Sequence, residues 1–178
     1  MGREDQGVSK SRHRYQVIPR VLCFVTHDDA ATGDATVLLL RGGPHKRLWA
    51  GRYNGLGGHV EAGEDIYAAT LREVHEEAGL EIHDLLLRAV VHADAGDPNL
   101  GILFFVFTAQ ADSTAVTPSD EGALEWHRQD ALPLADMVED LPVLLPKVLA
   151  MQPHDPPLFA AYSYDEADRL VMRFADRV

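Results

Sequence analysis

The sequence predicts one mixed α+β domain in which a β-sheet is covered by helices. Its 178 residues are enough for a single domain with a genuine core. Short runs rich in Val, Ile, Leu and Phe recur along the chain and are typical of strands, whereas two segments have a helical pattern. We expect residues 14–178 to form this domain, and we expect the polar residues 1–13 to be a flexible tail.

Composition and charge limit the classes of partner. The net charge of −12 disfavours a nucleic-acid partner, because phosphate backbones attract basic surfaces. The apolar runs are too short to span a bilayer, and the charged N-terminus is not followed by the apolar segment of a secretory signal. The single cysteine, Cys23, lies in an apolar stretch and is expected to be buried. We therefore expect a cytoplasmic protein, monomeric or homodimeric, that binds a small molecule and neither nucleic acid nor membrane.

The first part of the chain predicts two strands followed by a long loop. Tyr15–Thr26, with Pro19 near its start, and Thr36–Leu40 have strand composition. The turn residues of Asp28–Asp34 lie between them and predict a hairpin. Gly42–Gly63 contains seven glycines and shows no periodicity, so we expect an ordered loop. Loops of this length inside compact domains are usually functional.

The next segment predicts the first helix, Asp65–Ala78, which Gly79 would end as a left-handed C-terminal residue. Residues on this helix advance by about 100° each. Four residues then fall on one narrow stripe, which we expect to pack against the sheet: Tyr67, Leu71, Val74 and Ala78.

The second half of the chain predicts further strands and one broken helix. The helical segment is Leu134–Met151, and Pro142 and Pro146 are expected to bend or interrupt it. The last two strands are expected to form a hairpin across residues 165–168. The predicted strands are Leu85–Ala93, Leu100–Ala111, Leu124–Arg128, Leu158–Tyr164 and Leu170–Phe174.

Three acids of the first helix form a cluster that helix physics alone does not explain. Glu73, Glu76 and Glu77 share a second stripe, and like charges at this spacing repel by a few tenths of a kcal/mol per pair. Arg72 is the only permanent cation among their helix neighbours. A divalent cation would explain the cluster, because Mg²⁺, or Mn²⁺ as an alternative, prefers carboxylate oxygens and substrate phosphates. The glycine-rich residues 54–58 would let the backbone approach metal or phosphate closely.

These residues carry a specific family resemblance. The segment from residue 58 to residue 80 resembles the Nudix box, whose fixed positions are occupied here by Gly58, Glu64, Arg72, Glu73, Val74, Glu76, Glu77, Gly79 and Leu80. The resemblance implies a Nudix α/β/α sandwich with a mixed β-sheet, in which the box forms a loop–helix–loop. It also implies a Mg²⁺-dependent pyrophosphohydrolase.

The resemblance also implies roles for individual residues. The helix would supply the metal site through its three acids, Glu73, Glu76 and Glu77. The carbonyl of Gly57 is a further metal ligand, and Arg72 and Glu64 would orient the carboxylates. Members of the family differ in which glutamate acts as the general base, so that role stays shared among the three acids.

Outside the box the chain resembles the MutT-like enzymes, and in particular the 8-oxo-dGTP diphosphatases of mammalian type. In that subfamily an asparagine at the position of Asn54 reads the base edge, although Asn-Gly is also a plain turn signal. Tyr53 could offer a ring contact, and Glu121 corresponds to an additional acid at the metal centre. Residues 138–141 lack the tryptophan of that subfamily, and Asp140 keeps one acidic position for the base.

The function expected from these residues is hydrolysis of a nucleoside diphosphate linked to a further group. The first hypothesis is a (deoxy)nucleoside triphosphate, with an oxidised purine such as 8-oxo-dGTP as one form, cleaved to monophosphate and pyrophosphate. One alternative is a nucleotide sugar or another diphosphate of this kind. A different class, the non-catalytic nucleotide sensor, would use the same pocket without turnover.

Overall fold

The computed structural model describes residues 14–44, 49–117 and 119–176. The predicted flexible tail, residues 1–13, lies outside these residues. The described part contains eight strands: β1 (Gln16–Asp28), β2 (Ala35–Gly42), β3 (Tyr53–Asn54), β4 (His83–Asp97), β5 (Leu100–Gln110), β6 (Gly122–Arg128), β7 (Leu158–Tyr164) and β8 (Leu170–Phe174). It also contains the helices α1 (Ile66–Ala78) and α2 (Leu141–Leu149), and a short 3-10 turn over Leu134–Asp136.

All eight strands belong to one mixed sheet with the order β3-β2-β1-β5-β4-β7-β8, and β6 pairs with β2 outside this path. Parallel pairing joins β1 to β5 and β4 to β7, while the other strand pairs are antiparallel. The predicted final hairpin of β7 and β8 is confirmed, with the predicted bounds. The hairpin of β1 and β2 is also confirmed, but it pairs only three residues of each strand, Thr26–Asp28 with Ala35–Val37.

Beyond that short pairing, β1 and β2 separate, and the chain that follows β3 fills the gap. Leu40 of β2 pairs with Asn54. A few residues later the same segment lies against β1, where the Cys23 N–H donates to the carbonyl of Leu56 at 2.7 Å. The Val21 N–H donates in the same way to the carbonyl of Gly58 at 2.9 Å. The predicted functional loop is therefore held by the sheet itself near its end.

Alternation along the strands builds a hydrophobic layer on each face of the sheet, as period-2 geometry requires. Successive residues of β1 show this, because Cys23 packs in the layer beneath α1 and Phe24 in the layer beneath α2. Both side chains are fully buried, which confirms the expectation for Cys23. With one helix on each face, the domain is an α/β/α sandwich, as predicted.

The predicted sheet-facing stripe of α1 is wrong for two of its four residues. Val74 and Ala78 are fully buried, but Tyr67 is 53% exposed and Leu71 is also exposed. The helix faces the sheet through small residues such as Ala69 instead, because these allow the backbone to approach the sheet closely. The buried residues of α1 are Ala69, Thr70, Val74, Glu77 and Ala78.

The predicted ends of α1 are correct. The Asp65 side chain accepts hydrogen bonds from the N–H groups of Tyr67 and Ala68 and so caps the first turn. Gly79 ends the helix in the left-handed region, at φ 66°, and its N–H bonds to the carbonyl of His75. These two caps fix where the helix starts and stops.

The second helix is broken at a different place from the one that its prolines suggested. The 3-10 turn ends before Met137, and α2 begins at Leu141 with Pro142 in its first turn, where a missing N–H costs nothing. Pro146 lies inside the helix without ending it. In the described part of the chain, no helix is long and apolar enough to cross a membrane.

Candidate active site

A cavity of about 610 Å³ opens where β1 and the loop after β3 meet the start of α2. Its two ends differ in chemistry. One end, called the acidic end below, is lined by Gly57, Gly58, Arg72, Glu73, Glu76, Glu77 and Glu121. The other, called the apolar end, is lined by Val91, Phe104, Val106, Leu144, Tyr162 and Leu170, with Val138, Glu139 and Asp140 beside them.

Arg72 organises the acidic end. Its Nε and Nη2 donate to the two oxygens of Glu64 at 3.1 and 2.8 Å, which is a bidentate pair. Its Nη1 donates to Glu73 at 2.9 Å and to Glu76 at 3.0 Å. The remaining N–H donates to the carbonyl of His59 at 3.1 Å. All five N–H groups of the guanidinium are therefore used, and three carboxylates are held around one cation.

The hydrogen bonds around Arg72 shift the pKa values of Arg72 and Glu64 in the directions that favour their charged forms. Hydrogen bonds from Arg72 lower the pKa of Glu64, and the N–H of Glu61, which also bonds Glu64, contributes in the same direction. The hydrogen bonds to Glu64 in turn raise the pKa of Arg72 above its usual range. Glu64 is therefore an anion that positions Arg72, and it is not suited to accept a proton during a reaction.

Two glycines let the backbone and the carboxylates approach one another. Glu77, only 7% exposed, accepts a hydrogen bond from the Gly57 N–H at 2.8 Å. A Cβ added at Gly57 would lie 2.1 Å from the carbonyl oxygen of Val21, and one at Gly58 would lie 2.4 Å from an oxygen of Glu73. The space next to Gly58 is thus occupied by the Glu73 carboxylate, which no larger residue would permit.

The charge balance of the cavity suits a cation. Among the described residues, seven acids and two arginines line it. Within the described part of the chain, no three acids, histidines or cysteines are arranged to hold a metal ion, and Arg72 forms ion pairs with both Glu73 and Glu76. The acids of the lining nevertheless outnumber its arginines. Their carboxylate oxygens are the kind of ligand that Mg²⁺ prefers. Three of these acids, Glu73, Glu76 and Glu77, come from one face of α1.

Glu121 lies in the cavity wall although it is far from α1 in sequence. The Gly43 N–H donates to its carbonyl at 3.2 Å, and its own N–H bonds to the Ser119 hydroxyl at 3.4 Å. These bonds hold the start of β6 against the end of β2. The fourth acid predicted from the sequence therefore lines the same cavity as the acids of α1.

The cavity wall contains two of the three residues proposed from sequence to bind substrate. Asn54 lines the cavity, and its side-chain oxygen accepts from the Gly55 N–H at 2.9 Å. Asp140 also lines the cavity just before α2, and burial raises the pKa of its carboxyl. A carboxyl with a raised pKa is better able to donate a hydrogen bond than an ordinary aspartate.

Tyr53 lies elsewhere, contrary to its expected role in direct ring contact. It is buried in the layer beneath α2, and its hydroxyl donates to Glu125 at 2.7 Å. Its ring packs edge-on against His127. Tyr53 does not belong to the cavity lining. It therefore supports the backbone of the neighbouring Asn54 and makes no direct contact with a ligand in the cavity.

Several lining residues were not singled out from the sequence, among them three with polar side chains. Arg20 of β1 and Tyr162 of β7 face the cavity, and Glu139 lies beside Asp140. Period-2 alternation along β7 could have placed Tyr162 on an inner face, since Ala160 and Tyr162 are buried. Nothing local could have shown that it meets the cavity, because β7 reaches the site only through its pairing with β4.

Comparison with known proteins agrees with this geometry. The NUDIX domain family matches residues 17–148. The chain is 34% identical over 116 residues to the mouse oxidized purine nucleoside triphosphate hydrolase, covering 61% of this chain and 72% of that protein. It is 33% identical over 130 residues to the NAD-capped RNA hydrolase NudC of Escherichia coli, covering 71% of this chain but only 46% of the relative's length.

Solved structures show the same fold. The MutT protein of Bacillus halodurans superposes with a TM-score of 0.66 at 23% identity, covering 88% of this chain and 97% of that one. A hydrolase of the NUDIX family from Clostridium perfringens gives 0.56 at 25% identity, with 74% and 95% covered. At these identities the likeness concerns the architecture, and it supports the α/β/α assignment made above from the two hydrophobic layers.

Proposed function

Because the chain belongs to the Nudix hydrolase family and is a pyrophosphohydrolase, we propose that it hydrolyses (deoxy)nucleoside triphosphates, including those with an oxidised purine such as 8-oxo-dGTP, with Mg²⁺ as cofactor. The products are the nucleoside monophosphate and pyrophosphate. The observation that carries the proposal is the cavity itself, in which carboxylates gathered around Arg72 face an apolar chamber.

The two ends of the cavity match the two parts of such a substrate. A nucleobase is flat and largely apolar on its faces, and Val91, Phe104 and Leu144 provide an apolar enclosure for it. The polyphosphate would lie toward the acidic end, where its negative charge requires cations. Arg20 is a positive side chain in the wall that can meet a phosphate, since no ion pair ties it to an acid of the described residues.

The metal site of the proposal consists of Glu73, Glu76 and Glu77, with Glu121 and the carbonyl of Gly57 as further ligands. Mg²⁺ held there would neutralise phosphate oxygens and lower the pKa of a nearby water. Mn²⁺ has the same preference for oxygen ligands and is the expected substitute.

The side chains of this chain would perform the remaining tasks. Arg72 and Glu64 hold the carboxylates in place, since the bidentate pair between them fixes the plane of the guanidinium. Water attacks phosphorus in line with the leaving oxygen, and its proton passes to one of the three acids of α1. Glu64 is the least suited to that role, because Arg72 lowers its pKa.

Recognition of the base would involve Asn54 and Asp140. Both line the cavity, and an asparagine amide offers a donor and an acceptor on the same group. The raised pKa of the Asp140 carboxyl favours a proton that can be donated to a base oxygen or nitrogen. The similarity to the mouse oxidized purine nucleoside triphosphate hydrolase supports this substrate class.

A second candidate substrate is a diphosphate that joins a nucleoside to another group, such as a dinucleotide or a nucleotide sugar. Similarity to NudC over 71% of this chain favours it, although the chain spans only 46% of that protein. The net charge of −12 disfavours a long RNA, so the proposal is limited to the small-molecule diphosphate.

A product screen tests both candidates. Purified protein is incubated with normal and oxidised nucleoside triphosphates, NAD, ADP-ribose and nucleotide sugars, once with Mg²⁺ and once with EDTA. We expect Mg²⁺-dependent release of pyrophosphate from at least one triphosphate. Turnover of the linked diphosphates alone would select the second candidate, and binding of nucleotides without turnover of any would identify a sensor.

A further inference from the structure

Tyr162 lines the cavity, and its hydroxyl is buried without a hydrogen-bond partner in the described part of the chain. Tyr162 is only 5% exposed, and its ring packs in the layer beneath α2. Its oxygen is one of three buried side-chain atoms of the described residues that lack a hydrogen bond. Desolvation of this kind is costly, and the cost is recovered when a group with complementary polarity binds.

The position of this hydroxyl limits what can bind to it. Tyr162 lines the apolar end together with Val91, Phe104 and Leu144, and Asp140 belongs to the wall of the same cavity. No hydrogen bond joins the two groups within the described residues. A ligand that satisfies the hydroxyl is therefore flat and apolar on its faces and polar along one edge.

Within the proposed function, on which this inference rests, we propose that Tyr162 is a specificity-determining residue whose hydroxyl hydrogen-bonds the polar edge of the substrate's base. The hydroxyl can donate to a base carbonyl or ring nitrogen, or accept from an amino group. Bases or base analogues that present a C–H group or a methyl group at that point leave the hydroxyl unsatisfied and are disfavoured.

The position of Tyr162 also predicts that loss of its hydroxyl affects folding stability and ligand affinity in opposite ways. Replacing the hydroxyl with hydrogen removes a buried polar atom that has no hydrogen-bond partner among the described residues, so the stability of the fold rises or is unchanged. The same change removes the proposed hydrogen bond to the base, so ligand binding weakens. A hydroxyl with a structural role would give the opposite result, a less stable protein.

The test compares Tyr162→Phe with Tyr164→Phe, a matched control on the same strand whose side chain is exposed. Calorimetry measures the Kd of the nucleoside monophosphate product of the best substrate and, as a base-free probe, the Kd of inorganic pyrophosphate. We expect Tyr162→Phe to bind the monophosphate about tenfold more weakly, as the loss of one hydrogen bond predicts, and to bind pyrophosphate unchanged. Its Tm stays equal to or above the wild-type value, and the control changes neither quantity.

The outcomes separate this inference from the function on which it rests. Equal monophosphate affinity of Tyr162→Phe and the wild-type protein overturns the role of Tyr162 while leaving hydrolysis intact. A lower Tm for Tyr162→Phe with equal weakening of both ligands also overturns it, because it indicates a structural role. Monophosphate binding that depends on Tyr162, in a wild-type protein that hydrolyses no nucleotide, refutes the proposed function alone. If the wild-type protein binds no nucleoside monophosphate, the role of Tyr162 in base recognition is wrong, and turnover in the product screen decides the proposed function separately.

Discussion

Arg72 at the acidic end of the cavity and Tyr162 at the apolar end differ in how completely their polar groups are satisfied. At the acidic end, Arg72 uses every N–H group and Glu77 accepts from the Gly57 N–H, so the side chains are fixed before any ligand arrives. At the apolar end, the Tyr162 hydroxyl has no hydrogen bond among the described residues, and burial raises the pKa of Asp140. The first pattern is typical of a preorganised reaction centre, and the second of a recognition surface completed by its ligand.

This contrast predicts opposite responses to substitution. At the acidic end, small changes should lower activity far more than stability, because the side chains there hold ligands and do not fill the core. At the apolar end, removing unsatisfied polar groups should raise stability and reduce discrimination between substrates.

The largest effect is expected for Glu76→Gln. Glutamine can keep the hydrogen bond from Arg72, and the side chain is 58% exposed, so the fold should be unchanged. Removal of one metal-binding charge should lower kcat by roughly 10³-fold or more. Steady-state kinetics at saturating Mg²⁺, together with a thermal melt, measures both effects. Glu81→Gln is the control, since Glu81 is an exposed acid just beyond α1 whose side chain is 93% exposed. Ordinary turnover by the Glu76 variant would contradict the assignment.

A pair of alanine substitutions next to α1 should separate activity from stability. In Gly58→Ala the added methyl group meets the flexible end of Glu73, so the carboxylate moves and activity falls about ten- to hundredfold with little change in Tm. In Gly57→Ala the methyl group meets the backbone of Val21 and the residue has φ 149°, so the fold itself is strained. Parallel measurement of Tm and kcat/KM distinguishes the two, and an equal loss of Tm in both variants would contradict the distinction.

The pH dependence of stability tests the apolar end. Burial raises the pKa of Asp140 above its usual value of 3.8, so the folded state binds this proton more readily than the unfolded chain does. Ionisation of the buried Asp140 carboxyl destabilises the folded state. This destabilisation is absent at pH values below the usual pKa, and it develops as the pH rises through the raised pKa. Asp140→Asn should therefore gain in Tm relative to wild type as the pH rises from about 3.5 to 7, because only the wild-type protein acquires a buried charge over this range. A Tm difference that is constant across this range would show that Asp140 titrates normally.

Sequence reasoning was most successful where function depends on neighbours in the chain. The caps of α1, Asp65 and Gly79, and the clustering of Arg72 with Glu73 and Glu76 follow from local spacing along one helix. The α/β/α layering followed from strand composition and the family resemblance, because alternation on β1 divides its side chains between two faces. These features require no knowledge of which strands pair.

The remaining features depend on contacts that are distant in sequence. The helical pattern predicted that Tyr67 is buried. In the structure α1 packs against the sheet through Ala69, and Tyr67 lies on the exposed side of the helix. Tyr53 was expected in the cavity, but its hydroxyl reaches Glu125 on β6, a strand whose pairing with β2 has no local signal. Tyr162 was missed for the same reason, since the pairing of β7 with β4 places it there.

The most direct test of the account is a calorimetric titration of the protein with Mn²⁺ and with Mg²⁺, without and with inorganic pyrophosphate. The account predicts measurable binding of both ions, tighter binding when pyrophosphate is present, and at least about tenfold weaker binding by Glu76→Gln, as the loss of a ligand charge requires. Absence of binding by the wild-type protein under both conditions, or equal affinity in the Glu76 variant, would show that the acids around Arg72 do not form a metal site.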